Sequence, residues 1–489
     1  MKKITWCKLT AFVLMLSLIF TMLAGCGETP ATQEESDILY GDAVDDEDDD
    51  DEDVVDSDVV SGTTSTITKK KSAGSKAVEY DSKYKTSVSK KIDAKKASSY
   101  IESVPKSLSG TTVKILSWWG MLDNEKAKFE EFEKKTGIKV KFIQTGTDQY
   151  YTKLSSLKAA GNSPDLACIL NDVYPSAILM NYFRPLSESK LDISKKNVYD
   201  IDSMNKFKWN NKYYGALVKG STLIDFSILF YNQDMFTQNG VKSPYDYYNA
   251  KNWNWDTFLK CCHEIQNKTG KPALSAEAQG CEMVQSCGED SVIMNNGQMK
   301  NNIGSKTFRN AWKWVDSLTE TEKVADWSLN RQGFMKGKCA MEVEVSWALQ
   351  KGERYDDVSF AYGFVPLPSP KGKATSIPSA AKLWGFPVGC ENIEAASYLF
   401  EYWQDPTYNV KGQEMWINDS AANFIDWLWE QPKTFEVTKG IVEYGGDYAY
   451  VDMVSELSSL GGGANVDSNA DKWSKVITAN IKKILSDWK

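Results

Sequence analysis

From Thr111 onward the apolar and polar positions follow two periods in turn. Val113, Ile115 and their neighbours read as a strand. Leu122, Phe129 and Phe132 share one face of a helix that Asp123 caps and Gly137 stops. Ile138, Val140 and Phe142 alternate as a second strand, and a further helical stretch follows. Asp165 to Leu170 is then a continuous apolar run, as in a parallel strand buried on both faces. Strand, helix, strand, helix, strand predicts an α/β fold with a parallel sheet. Ligands in such sheets sit beyond the carboxyl ends of the strands, which places Trp118-Trp119 and Asn171-Asp172 at one crevice. At the far end of the chain Trp473, Val476, Ile477, Ile481, Ile484 and Leu485 form a helical stripe, read as core packing.

Before Thr111 the pattern is different. Lys2, Lys3 and Lys8 precede an apolar run from Leu9 to Leu23, too short for the ~20 residues of a membrane-spanning helix and suited to an export signal. The run ends in Leu23-Ala24-Gly25-Cys26, the form of a bacterial lipoprotein box. Cleavage before Cys26 would leave that thiol to carry acyl chains that hold the chain outside the cytoplasm. From Cys26 to about Ser109 no hydrophobic period is evident. An acidic run from Asp42 to Asp58 carries about −12 and a lysine-rich stretch from Lys69 to Lys96 about +7. This segment is expected to be a disordered charged tether with a reach of about 50 Å, enough to cross a Gram-positive cell wall.

The remaining globular part, near −3 by the same reckoning, lacks the basic surplus that a nucleic-acid partner would call for. His263 is the only histidine, which leaves almost no material for histidine triads or multi-histidine metal sites. Beyond Cys7 and Cys26 the cysteines are Cys168, Cys261, Cys262, Cys281, Cys287, Cys339 and Cys390. A short-loop disulfide between Cys281 and Cys287 and a set of reduced, partly buried thiols both remain open.

Further along, ordered motifs resemble a family. Val113 to Phe142, with Phe132-Glu133-Lys134-Lys135-Thr136-Gly137-Ile138-Lys139-Val140, is similar to the opening of the extracellular solute-binding proteins of carbohydrate importers, the group that includes maltose-binding protein. Ser163-Pro164-Asp165-Leu166, the stretch Ile228 to Phe236, Trp255-Asp256-Thr257-Phe258, Lys336 to Met341, Ser346-Trp347-Ala348-Leu349, Phe364 to Pro368 and Trp384-Gly385-Phe386 follow in the family's order. Each is weak alone, and the ordered set is specific. The resemblance implies an α/β, two-lobed, periplasmic-binding-protein-like fold with a hinge of crossing strands near Asp225, Trp384 and Gln431. The expected divisions are a signal peptide at 1–25, the tether at 26–108, a first lobe at 109–225 and a second at 226–384. A return to the first lobe at 385–430 and a C-terminal helical segment on the second lobe at 431–489 complete them. It further implies a monomeric binder without cofactor, a carbohydrate ligand, the permease subunits of an ABC importer as partners, and lobe closure on binding.

A pyranose presents hydroxyls and flat C–H faces, so its site mixes carboxylates, amides and aromatic rings. The resemblance places such residues at Trp118 and Trp119, one expected in the cleft and one in packing. Asn171 and Asp172 are ligand contacts or turn residues. Asp225 is a hinge-side acid, Trp347 a stacking ring, Glu344 a nearby carboxylate, and Trp384 a stacking platform or hinge packing. One departure is that Ala276 to Glu282 lacks the aromatic pair that many sugar binders carry there. The rival readings are a glycosidase, which needs carboxylates about 5–9 Å apart, and a surface glycan adhesin or sensor. A third is a binder of a peptide, polyol or glycerol-phosphate, for which Lys219 is the nearby cation.

Overall fold

The computed structural model describes residues 76–78 and, with short interruptions, 94–487. The expected signal peptide, Cys26, Leu122 and most of the tether lie outside the described residues.

The first strands form where the periodicity places them. β1 (Thr112–Ser117), β2 (Lys139–Gln144) and β3 (Leu166–Leu170) are parallel, with β1 central, and helices Asp123–Thr136 and Tyr150–Ala159 connect them. Gly137 ends the first helix with φ +73°, and a Cβ there would lie 2.1 Å from Ser109 Oγ. Only glycine meets both conditions without strain. β4 (Phe183–Arg184) precedes the nine-residue β5 (Ile224–Asn232), and the short β6 (Leu274–Ser275) follows. β7 (Val292–Asn295) and β8 (Gln298–Asn301) form a separate hairpin. β9 (Ala325–Asp326), β10 (Met341–Val345), β11 (Tyr362–Pro366), β12 (Ile377–Pro387) and β13 (Lys433–Phe435) complete the strands.

Among the described residues, eleven strands join in the order β2-β1-β3-β12-β5-β10-β6-β9, with β11 on β5 and with β4 and β13 on β12. The join between the two halves is a trio of side-by-side segments. Ser379, Ala380 and Ala381 of β12 pair with Phe226, Asp225 and Ile224 of β5, while Ile377, Pro378 and Ser379 pair with β13. Trp384 lies beyond this trio, opposite Cys168 of β3.

Two expected boundaries move. Within the stretch read as tether, Ala94–Glu102 is a helix that buries Ala97 and Ile101, and Val104 is buried just after it. Its Tyr100 ring stacks 4.4 Å from that of Tyr408, and the hydroxyl donates to Glu401 Oε2 at 3.0 Å. The short apolar set Ala97, Ile101 and Val104 is a helical stripe diluted by lysines, which is why composition hid it. Lys76–Val78 pairs with Tyr362 of β11, Val78 N donating to its carbonyl at 2.9 Å. The second shift lies in 385–430. Helix Ile393–Gln404 packs on Asp123–Thr136, with Trp403 on Phe129 and Tyr402 on Phe132. Residues 415–417, however, bond the backbone at Leu349 and Lys351, and helix Asp419–Glu430 sets Phe424 on Phe364 and Trp429 on Phe226. Its apolar stripe has its burying surface on β5 and β11. The C-terminal helix Val466–Asp487 buries Trp473, Ile477, Ile481 and Ile484, as the stripe predicts.

Candidate functional site

Residues from four elements meet where β1 and β3 end and β5 begins. Trp118 and Trp119 follow β1, and both are half-buried, so neither is simply the packing member of the pair. Trp118 meets Tyr150 edge-on at 5.0 Å and Trp119 at 4.9 Å. Trp119 in turn meets Trp384 edge-on at 5.8 Å. Trp384 is 1% exposed and also packs on Trp403, so of its two sequence readings the structure gives hinge packing; it supports Trp119 from beneath.

Asp225, the second residue of β5, pairs with Lys382 Nζ at 2.8 Å, and that ammonium stands 5.9 Å from the Trp119 ring centroid. Lys382 escaped the sequence reading. The signal was there, since Lys382 is two residues before Trp384 on one strand and shares its face. Together Trp119, Lys382 and Asp225 present an aromatic face, a donor and an acceptor side by side.

Asn171 and Asp172 separate in role. Asn171 is buried, accepts from Ala381 N at 2.7 Å through Oδ1 and donates through Nδ2 to the carbonyl of Glu436. Its amide ties β3 to the crossing strands. Asp172 is half-buried and pairs with Lys439 Nζ at 3.2 Å, while its Oδ1 is enclosed without a partner. The helix Thr438–Tyr444 that carries Lys439 comes this close because residue 440 is glycine; a Cβ there would lie 2.6 Å from the carbonyl oxygen of Asp172.

Trp347 joins the group through the backbone, because Ser346 Oγ accepts from Phe226 N at 3.0 Å, one residue beyond Asp225. Its ring is half-buried, and the Arg354 guanidinium lies 4.7 Å from the centroid. Glu344, named in the sequence as a carboxylate near Trp347, is 1% exposed and bound by Arg331 at 2.6 Å and Arg354 at 2.7 Å. A carboxylate so occupied has little left for a ligand; it holds Arg354 against Trp347.

Two further acids escaped the sequence reading. Glu436 accepts from Ser291 Oγ and Thr438 N, and burial raises its pKa. Glu282, on helix Gly280–Gln285, has an enclosed Oε2 without a hydrogen-bond partner. Burial, with Glu436 and Glu344 adding to it, pushes its pKa to about 7. The aromatic-poor stretch before it is thus followed by an acid poised between its two protonation states at neutral pH. Lys219 donates to the carbonyl of Lys196 at 2.9 Å rather than joining this group. No disulfide joins the seven described cysteines, Cys281 and Cys287 included, and no cluster of metal-ligating side chains occurs among the described residues.

The arrangement holds aromatic faces and charge pairs side by side at the strand ends, which is chemistry for binding a polar ligand. Comparison with known proteins agrees with that. A family model for bacterial extracellular solute-binding proteins matches residues 127–423. Among solved structures, the cyclic alpha-maltosyl-1,6-maltose binding protein from Arthrobacter globiformis aligns with TM-score 0.62 at 15% identity, over 76% of this chain and 99% of that one. The sugar-binding protein MalE from Xanthomonas citri gives 0.58 at 16% identity, over 76% and 98%. UgpB from Mycobacterium tuberculosis, solved in complex with glycerophosphocholine, gives 0.58 at 15% identity, over 77% and 99%. At such identities the likeness is one of fold, namely two α/β lobes hinged on crossing strands.

Proposed function

The chain belongs to the bacterial extracellular solute-binding proteins, and from that premise we propose that it captures a sugar or oligosaccharide between its lobes and delivers it to the permease of an ABC importer. In this reading Cys26 carries the lipid that holds the protein, as a monomer, at the outer face of the cell membrane. The observation that carries the sugar assignment is the grouping of Trp119, Lys382 and Asp225 beside Trp347 and Asp172. A ring face stacks on C–H groups, while paired carboxylate and ammonium groups exchange hydrogen bonds with hydroxyls. Lys382 faces Asp225 and Lys439 faces Asp172, while Arg331 and Arg354 share Glu344.

A thermal-shift screen of the protein against mono-, di- and oligosaccharides, with glycerophosphocholine and short peptides alongside, tests the assignment. Ligand at about 100 times its dissociation constant stabilises the native state by about 2.7 kcal/mol. A response confined to one saccharide class supports the proposal. A response to glycerophosphocholine or peptides alone discards carbohydrate and keeps the fold.

A further inference from the structure

β10 ends in an ion cluster beside the stacking ring. Glu344 Oε1 accepts from Val345 N at 2.8 Å, and its Oε2 binds both Arg331 Nε at 2.6 Å and Arg354 Nη1 at 2.7 Å. Two guanidiniums thus converge on one carboxylate oxygen. Arg354 gives that oxygen one N–H and lies against Trp347, 4.7 Å from the ring centroid. Among the described residues Glu344 is the acceptor that holds it, so the rest of its donor edge is open, and the side chain is 21% exposed. Lys382 and Lys439 differ, since each is paired one to one, with Asp225 and with Asp172.

A guanidinium pinned by an ion pair at one nitrogen and by a ring on its face is fixed in orientation. Its remaining N–H groups then form the planar fork that takes a carboxylate through two parallel hydrogen bonds. The acids nearest Glu344 oppose such a ligand only weakly. Glu342 accepts from Tyr355 Oη at 2.8 Å, and burial pushes its pKa up to about 8. Burial pushes that of Glu282 up to about 7. Both therefore hold their protons for much of the time at neutral pH. Trp347 supplies a face for C–H groups, so an aromatic platform and an open, oriented guanidinium stand together.

We propose, on the premise that the crevice takes a saccharide, that Arg354 is a specificity-determining residue and that the saccharide bears a carboxylate, as a uronic acid does. Isothermal titration of the full chain with glucuronic, galacturonic and digalacturonic acids tests it. Each acid is compared with its methyl ester, which has nearly the same shape and no charge, and galactose, glucose and galactose 6-phosphate are titrated alongside. The expected result is that at least one acid binds about tenfold or more tightly than its ester, by a margin that narrows as salt is raised. Arg354→Gln removes that margin and leaves ester binding as it was. Arg354→Lys keeps the charge beside Glu344 but loses the fork, so it keeps only part of the margin and serves as the decisive variant if Arg354→Gln fails to fold. Equal affinity for acid and ester overturns the proposal, and so does tighter binding of galactose 6-phosphate than of any acid. A margin that persists in full in Arg354→Gln or Arg354→Lys overturns it too. Binding of the neutral sugars alone overturns it while the saccharide reading stands, whereas silence with every acid, ester and sugar overturns both.

Discussion

Asp225 and Lys382 show how little separates a structural ion pair from a ligand contact. The two side chains are 18% and 16% exposed, open enough to meet a ligand and enclosed enough that their pairing matters. Asp225→Asn is expected to weaken sugar binding about tenfold or more while the ligand-free melt stays close to wild type. A large loss of melting temperature with unchanged affinity would make the pair a hinge brace only. Trp347→Ala should behave alike, since the ring is half-buried and its loss leaves the Glu344 ion pairs in place. Equal affinity in that variant would remove Trp347 from the site. Glu282 makes a prediction of another kind. Its pKa rises from 4.5 to about 7, so the native state holds the proton more tightly than the unfolded chain. Its contribution to stability therefore falls as pH rises from about 4.5 to 7, by up to about 3 kcal/mol, and stays low above that. Glu282→Gln should accordingly raise the melting temperature at pH 8 and leave it unchanged near pH 4.5; a difference that is constant with pH would contradict the assignment.

At the scale of elements, what the sequence disclosed follows the range of the interactions involved. β1, β2, β3 and their helices were legible because period and caps are local. The insertion of β12 between β3 and β5 was not, since its partners are set by segments such as Asn171, which receives a hydrogen bond from Ala381, 210 residues later. The same distance hid the role of Asn171, whose amide looks like a turn or sugar contact until both of its ends are found occupied. Lys382 was within reach through the alternation of β12, and the partners of Glu344 were not, because Arg331 and Arg354 come from outside its strand. Gly440 gives this level its test. A methyl group there meets the backbone at Asp172 and Val173, so Gly440→Ala should shift the helix Thr438–Tyr444, lower the melting temperature and weaken binding through the displaced Lys439. A variant unchanged in both respects would show that the approach is not needed.

On the scale of the whole molecule, the sheet has two halves held by three crossing segments, and the described residues before Thr111 are tied to both. Lys76–Val78 extends β11, while Ala94–Glu102 covers the face carrying Tyr398, Glu401 and Tyr408. A chain lacking residues 1–108 should therefore be less stable than one lacking 1–93, by about 3 kcal/mol or more for the lost burial of Ile101 and Val104, as chemical denaturation would read. The central claim is that the crevice between these halves takes a saccharide and closes on it. Small-angle scattering of the protein with and without the saccharide that gives the largest thermal shift measures this most directly. The account predicts a smaller radius of gyration in the bound state and no such change in Asp225→Asn/Trp347→Ala at the same saccharide concentration. An unchanged radius at saturation, or a contraction that this double variant shares in full, would contradict it.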